Sequence, residues 1–302
     1  MDIGTYVDGA DIEQGVYADI PHSVYHGMLT KTPSLSSSMA RALVHECPAM
    51  LYARSYLNPD YEREEKAHFD VGSAVHLLYL EREKYADSIA VIDADDWRKK
   101  EAQAARDEAR EAGTIPLLKK TADELELMRA ALLSHPIAGK AFSGAGFSEL
   151  SLVWKDAETG VWLKARPDWT PASFNFLVDL KTSTTANPSD FARKAYGLGY
   201  HMQAAWYLDA VEAVTGEKAK NFWFVVQDKN APYLCSVAAF DEDAVAAGRA
   251  KNREAIRMFA DCIERNDWPG YRQENTPDRD TAFILALPGW AQRDIEIVLA
   301  AD

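Results

Sequence analysis

The sequence predicts an α/β fold, a sandwich in which a mixed central sheet is flanked by helices. Three observations predict it. Apolar residues recur at helical spacing through the first half of the chain, at 36–47, 71–82 and 121–134. The period then changes to strand-like alternation in three consecutive runs, 149–155, 161–169 and 174–181. Helical patterning returns at 188–213 and 241–264, on either side of two further strand-like runs at 221–227 and 233–240.

Residues 1–33 are polar and acidic and read as loop and turn, ending at Pro33. The Ser-rich stretch after it opens a helix, with Ser36 or Ser37 as N-cap and Met39, Leu43 and Val44 as its apolar stripe. Pro48 ends or kinks that helix, because proline has no N–H to continue it. A second helix covers 71–82, a charged one covers 98–112 and stops at Gly113, and a fourth covers 121–134. Thr121 and Glu124 fit a capping box at its start. The three strands at 149–181 form an antiparallel meander, turning at 156–160 and again near Pro171. Asp241 caps the last long helix. The tail from Trp268, rich in Pro, Gly and charge, is irregular with a short final helix. The expected division is an extension over 1–33, a main domain over 34–268 with a helical insertion at 84–120, and a tail over 269–302.

Composition narrows the function. The chain has 302 residues, 47% of them hydrophobic, which is enough for a sizeable core. The formal net charge of −14 argues against a general nucleic-acid coat, since phosphate binding needs concentrated Lys and Arg. Between 161 and 207 the balance reverses: Lys164, Arg166, Lys181, Arg193 and Lys194 outnumber Asp168, Asp179 and Asp190. Three scattered cysteines (Cys47, Cys235, Cys262) support no disulfide framework, zinc site or iron–sulfur cluster. No phosphate-binding GxxxxGK[ST] loop, GxSxG elbow or HExxH helix occurs. With no secretory signal and no long apolar run, the expectation is a soluble, cytoplasmic protein without a membrane partner.

The chemistry concentrates between Arg166 and Lys181. Asp168 ends the second alternating run and Asp179 ends the third, two residues before Lys181. Strand alternation places Asp179 and Lys181 on one face and turns Leu180 toward the core. A hairpin across this offset brings the two aspartates together. Paired carboxylates with a backbone carbonyl, that of Leu180, suit a hard cation such as Mg²⁺. An adjacent lysine would orient a water and offset phosphate charge. The triplet alone is weak: Glu64-Glu65-Lys66 matches it too, and taken in isolation Asp179 and Lys181 read more readily as an edge-strand salt bridge. His76 is likewise open between a packed histidine and a ligand. Gln203 and Tyr207, four apart on one helix, are open between a polar helix face and a phosphate contact. Tyr196 and Tyr200 fit either a helix core or a platform for unpaired bases.

In order, Gly72-x-x-x-His76, Glu149, Pro167-Asp168, Asp179-Leu180-Lys181 and Gln203-x-x-x-Tyr207 resemble the PD-(D/E)xK nuclease superfamily. Within it they resemble the RecB-like branch and the RecE-type (exodeoxyribonuclease VIII) nuclease domain. The likeness covers roughly residues 15–265, and Ser36…Cys47-Pro48…Tyr52 resembles the branch's N-terminal helix. The resemblance implies a restriction-endonuclease-like core and a Mg²⁺-dependent exonuclease, with Mn²⁺ as a substitute cation. It implies His76, Asp168, Asp179 and the Leu180 carbonyl as ligands, with Glu149 beside them and Lys181 positioning the water. Gln203, Tyr207, Arg166, Ser36 and Thr182 are the implied DNA contacts, although Thr182 also fits a turn cap. Linear duplex ends, 5′ to 3′ digestion, phage-type recombination, a ring-like homo-oligomer and a single-strand annealing partner are implied in the same way. So is an origin in a bacterial host or phage. The rival expectations are a structure-specific or Cas4-like endonuclease of the same superfamily, and a non-catalytic DNA-binding or assembly module.

Overall fold

The computed structural model describes residues 2–61 and 67–271, together with 282, 283, 285–289 and 292. Glu64, Glu65 and Lys66, and most of the tail with its expected final helix, lie outside the described residues.

The N-terminal segment is more structured than its composition implies. It forms strands β1 (Gly4–Thr5) and β2 (Gly15–Ala18) and the single-turn helix α1 (His22–His26). Strand β2 is only four residues long, too short for alternation to show, and it is held by pairing far along the chain. Strand β3 (Ser34–Ser36) leads directly into α2 (Ser37–His45), and Ser36 is the cap: its Oγ accepts from the Met39 N–H at 3.4 Å. Pro48 opens a new helix, α3 (Pro48–Ala53), from its first position, where the missing N–H costs nothing.

Next come α4 (Ala67–Leu80), α5 (Arg82–Ser88), β4 (Ile89–Ile92), α6 (Lys100–Glu111), β5 (Ile115–Leu118) and α7 (Lys119–Ser134). The region around the charged helix is thus not purely helical: β4 and β5 pair in parallel across α6. Because β5 runs straight into α7, that helix begins at Lys119 with no side-chain cap. Thr121 and Glu124 lie inside the helix, and the expected capping box does not form.

Helix α8 (Ala138–Ser143) leads to the strands that build the site: β6 (Gly146–Ser148), β7 (Ser151–Lys155), β8 (Trp162–Ala165), β9 (Trp169–Pro171) and β10 (Phe176–Ser183). The rest of the described chain is α9 (Pro188–Gly197), α10 (Tyr200–Thr215), β11 (Asn221–Asp228), β12 (Cys235–Ala238) and α11 (Glu242–Arg265). The single helix expected over 188–213 breaks at Gly199, whose φ of 68° is left-handed. An ideal Cβ at Gly199 would lie 2.7 Å from His45 Nε2, so the corner admits only glycine without movement. Asp241 caps α11 as expected, accepting from the Ala244 N–H at 2.8 Å.

Besides the β4–β5 pair, the strands form two mixed five-stranded sheets, in the orders β1-β2-β7-β8-β3 and β12-β11-β10-β9-β6. The fold class is as expected, but the meander is not one sheet: it divides between the two. In the second sheet β10 pairs in parallel with β11, placing Asp179 opposite Phe224 and Lys181 opposite Val226. Alternation then sorts the faces. Leu177, Phe222, Phe224 and Val226 join the main core beneath α2, α10 and α11. Val178, Leu180 and Val225 join a second core with Val75 and Leu78 of α4 and Leu125 and Met128 of α7. Leu180 therefore points into a core, as the alternation predicts, and Asp179 and Lys181 face α10.

Helix α10 lies close on α11 because of Gly248, where an ideal Cβ would meet the His201 carbonyl oxygen at 2.3 Å. Backbone cannot yield as a side chain can. Gly248→Ala should therefore destabilise the protein by about 1–3 kcal/mol, read from the shift of a urea unfolding midpoint. An unchanged midpoint would show that the two helices separate without cost.

Candidate active site

Two crossings between the sheets lie side by side, and the site is built on them. One crossing is Glu149–Leu150, between β6 and β7; the other is Arg166–Asp168, between β8 and β9. The Glu149 N–H donates to the Asp168 carbonyl at 3.2 Å, tying the crossings together. Pro167 has no N–H to offer a ladder. Glu149 takes a left-handed φ of 53°, uncommon outside glycine and a form of local strain that collects at functional positions. The outcome is one long hairpin bent at its middle, with Glu149 and Asp168 just outside the regular strands.

Helix α4 brings His76 to this bend. His76 Nδ1 lies 3.4 Å from Glu149 Oε1 and 3.9 Å from Asp168 Oδ1. One ligand atom from each of His76, Glu149 and Asp168 lies within 4.8 Å of the others. His76 does not point into the core; its side chain is 42% exposed. The donor set, one imidazole and two carboxylates, fits a divalent cation that accepts nitrogen and oxygen together. Asp179 falls outside this trio. Its Oδ1 accepts from Gln203 Nε2 at 2.6 Å, and its Oδ2 faces Lys181 Nζ at 2.6 Å in an ion pair that falls short of hydrogen-bond geometry. Asp168 Oδ2 accepts from the Leu180 N–H, also at 2.6 Å. Each aspartate is thus held by its own donors while its charge opposes the other's.

The electrostatics follow from this crowding. Burial, then the neighbouring Asp179, push the Asp168 carboxyl up to about 7. Asp168 first, against burial and with help from Glu149, raises His76 to about 9. Both shifts favour the protonated form, as expected where carboxylates crowd together with one imidazole. Burial lowers the Lys181 pKa, but Asp179, Tyr200 and Asp168 outweigh it and the net shift is upward, so the ammonium stays charged. Its Nζ also lies 4.6 Å from the Tyr200 ring centre.

Helix α10 braces the bend from behind. Besides Gln203, its Trp206 Nε1 donates to the Lys164 carbonyl at 3.0 Å and its Tyr207 hydroxyl to the Arg166 carbonyl at 3.1 Å. Gln203 is 4% exposed and its Oε1 has no hydrogen-bond partner. Gln203→Leu would strip a buried carboxylate of its neutral donor. It should cost about 1–3 kcal/mol of stability, measured by urea denaturation; an unaltered protein would mean Lys181 alone suffices for Asp179.

A cleft of about 590 Å³ opens over the trio. Ser36, Arg166, Gln203 and Tyr207 line it, as do His76, Glu149 and Asp168. Thr182 does not; it lies in β10 opposite Gln227. Arg166 is fixed by Ser151 Oγ and the Ile20 carbonyl, at 3.0 Å from Nε and 2.9 Å from Nη2, and lies 4.0 Å from the Tyr25 ring centre.

Sequence reasoning missed Tyr25, Ser37 and Arg41 as part of the cleft lining. It also missed the work of Lys164. This buried ammonium donates to the carbonyls of Tyr25 at 2.7 Å and Gly27 at 3.3 Å, anchoring α1 and with it the ring under Arg166. Burial, reinforced by Arg166, pulls its pKa down to about 7. The signal in sequence was a lysine inside an apolar strand, between Leu163 and Ala165.

No helix among the described residues is long and apolar enough to cross a membrane. No curated protein matches the chain in sequence. The fold is similar to the crystal structure of a candidate exonuclease from Eubacterium rectale, with 17% identity and a TM-score of 0.60. The similarity covers 90% of this chain and 96% of that one, and at that identity it concerns the fold. Residues 36–276 match the family described as "PDDEXK-like domain of unknown function (DUF3799)". That stretch takes in His76, the bent hairpin and Gln203, and the chain belongs to this PDDEXK-like family.

Proposed function

We propose that this protein is a divalent-cation-dependent nuclease that hydrolyses phosphodiester bonds in DNA. The observation that carries the reading is the convergence of His76, Glu149 and Asp168 on one point of an open cleft, beside the Asp179–Lys181 pair. The reading assigns the cation, Mg²⁺ or Mn²⁺, to those three residues, with Asp179 and the Leu180 carbonyl completing the set. When bound, the cation supplies Lewis-acid polarisation of the phosphate and lowers the pKa of a nearby water. Lys181 stays protonated at neutral pH, so its part is to orient the water and offset phosphate charge rather than to take a proton. Gln203 holds Asp179 in position, and Tyr207 holds the Arg166 carbonyl. Ser36 and Arg166, lining the cleft, and Thr182, which does not line it, are assigned to the DNA backbone.

The finer reading follows the RecE-type resemblance. It makes the substrate the ends of linear duplex DNA, digested 5′ to 3′ in phage-type recombination. It makes the enzyme a cytoplasmic homo-oligomer working with a single-strand annealing protein, its catalytic unit spanning 34–268. The test is to incubate linear and covalently closed duplex DNA with Mg²⁺, Mn²⁺ or EDTA. Degradation of linear DNA alone, abolished by EDTA, is expected. Cutting of closed circles would move the assignment to an endonuclease. The absence of cleavage with either cation would leave a binding module.

A further inference from the structure

The corner between α9 and α10 is an exposed aromatic and basic ridge on a chain of net charge −14. Tyr196 is 66% exposed and Leu198 53% exposed, although helical spacing alone fits a core role for the tyrosine. The Tyr196 ring is not loose: it stacks on buried His201, with centroids 5.3 Å apart and planes 18° from parallel. Lys251 of α11 brings its Nζ to 5.6 Å from the Tyr196 ring centre. Arg193 and Lys194 are exposed on the same helix. Cationic surroundings register on two histidines here. Burial, then Lys251 and Arg41, lower the pKa of His45; burial, then Lys251 and His45, lower that of His201.

This ridge is continuous with the cleft through Arg41. Arg41 lines the cleft, donates from Nη1 to the Leu198 carbonyl at 3.1 Å, and lies 5.5 Å from the Tyr200 ring centre. The other side of that continuity is Lys181, at 4.6 Å from the same ring. A solvent-facing aromatic beside ammonium and guanidinium groups has the chemistry of a single-strand track: the ring stacks on a base, and the cations lie along phosphates. A fully paired duplex would offer no free base to the ring along its length, so the arrangement favours an unpaired strand.

We propose that the α9–α10 corner binds an unpaired strand of the nucleic acid as it leaves the active-site cleft, with one base stacked on Tyr196 and phosphates against Lys251 and Arg41. The inference rests on the nuclease reading and deepens it. Tyr196 and Lys251 lie outside the catalytic trio, so their replacement leaves the chemistry intact. The experiment measures fluorescence anisotropy of the whole protein, with Ca²⁺ in place of Mg²⁺, on blunt duplex DNA and on duplex carrying an oligo-dT overhang. Tyr196→Ala is expected to weaken overhang binding at least about fivefold and blunt-duplex binding less than about twofold, with Tyr196→Phe restoring the difference. Lys251→Ala is expected to lower the slope of log affinity against log salt by about 0.7 on the overhang. If wild-type protein cleaves linear DNA but both alanine variants bind the overhang as it does, the track is overturned and the nuclease stands. If wild-type protein neither cleaves nor binds DNA, both readings fall. If Tyr196→Ala abolishes self-association and leaves DNA binding unchanged, the ridge is a contact between protein copies and the track is again overturned.

Discussion

Asp168→Asn should abolish cation-dependent cleavage, lowering the rate by at least about a thousandfold, while making the cation-free protein more stable. The two effects have one cause. Asp168 is buried beside Asp179, and burial with that neighbour raises its pKa to about 7. An acid whose folded pKa is raised contributes stability that is fully present below its unfolded value and is lost as pH rises through the folded one. For Asp168 the loss runs from its ordinary value of 3.8 to about 7. His76, raised from 6.5 to about 9 with Asp168 as the leading cause, extends the loss upward. Cation-free protein should therefore grow less stable between about pH 4 and pH 9, and added Mg²⁺ or Mn²⁺ should oppose the trend most strongly at the upper end. Asparagine keeps an oxygen to accept the Leu180 N–H and removes the opposed charge. It should raise the thermal midpoint of cation-free protein by about 2–4 °C, on the order of 1 kcal/mol, flatten the pH trend and erase the stabilisation by cation. The measurements are thermal melts across pH with and without Mn²⁺, and a single-turnover cleavage assay. A variant that cleaves within tenfold of wild type would remove Asp168 from the site.

The strand ending in Asp179 and Lys181 was legible because FNFLVDLK carries both a hydrophobic run and alternation, and β10 keeps that register. Asp241 and Ser36 were legible as caps for a local reason: a side chain and an N–H three residues on settle the matter between them. The bend in the hairpin was not. Alternation reports which face a residue takes, not which sheet its strand joins, so 161–169 reads as one strand although β8 and β9 belong to different sheets. Left-handed Glu149 carries no glycine to announce the turn. The motifs pointed to His76, Asp168 and Asp179, but spacing could not say that Glu149 rather than Asp179 would join His76 and Asp168 in one group. That choice depends on donors distant in sequence, Gln203 for one aspartate and the Leu180 N–H for the other. The cleft wall of Tyr25 and Arg41 depends on α1 and α2 reaching across from the first fifty residues, which no local pattern encodes.

Lys181→Ala should lower the cleavage rate by about a hundredfold to ten-thousandfold, and here stability should fall with activity. The ammonium lies 2.6 Å from Asp179 Oδ2, and the Asp179 side chain is 5% exposed. Removing one partner of a buried ion pair leaves the other charge uncompensated, a loss on the order of 3–5 kcal/mol. Gln203 and an added cation would offset part of it. Reduced rate alone would then not separate a damaged fold from a missing water-orienting group. Lys181→Arg separates them. Guanidinium keeps the positive charge beside Asp179 and can rest on the Tyr200 ring as the ammonium does. Its planar fork cannot place a donor where the compact ammonium places one. The arginine variant should therefore recover most of the urea stability lost in the alanine variant while its single-turnover rate stays at least about a hundredfold below wild type. Recovery of rate along with stability would reduce Lys181 to a charge partner for Asp179, and the orientation of water would have to be sought elsewhere in the cleft.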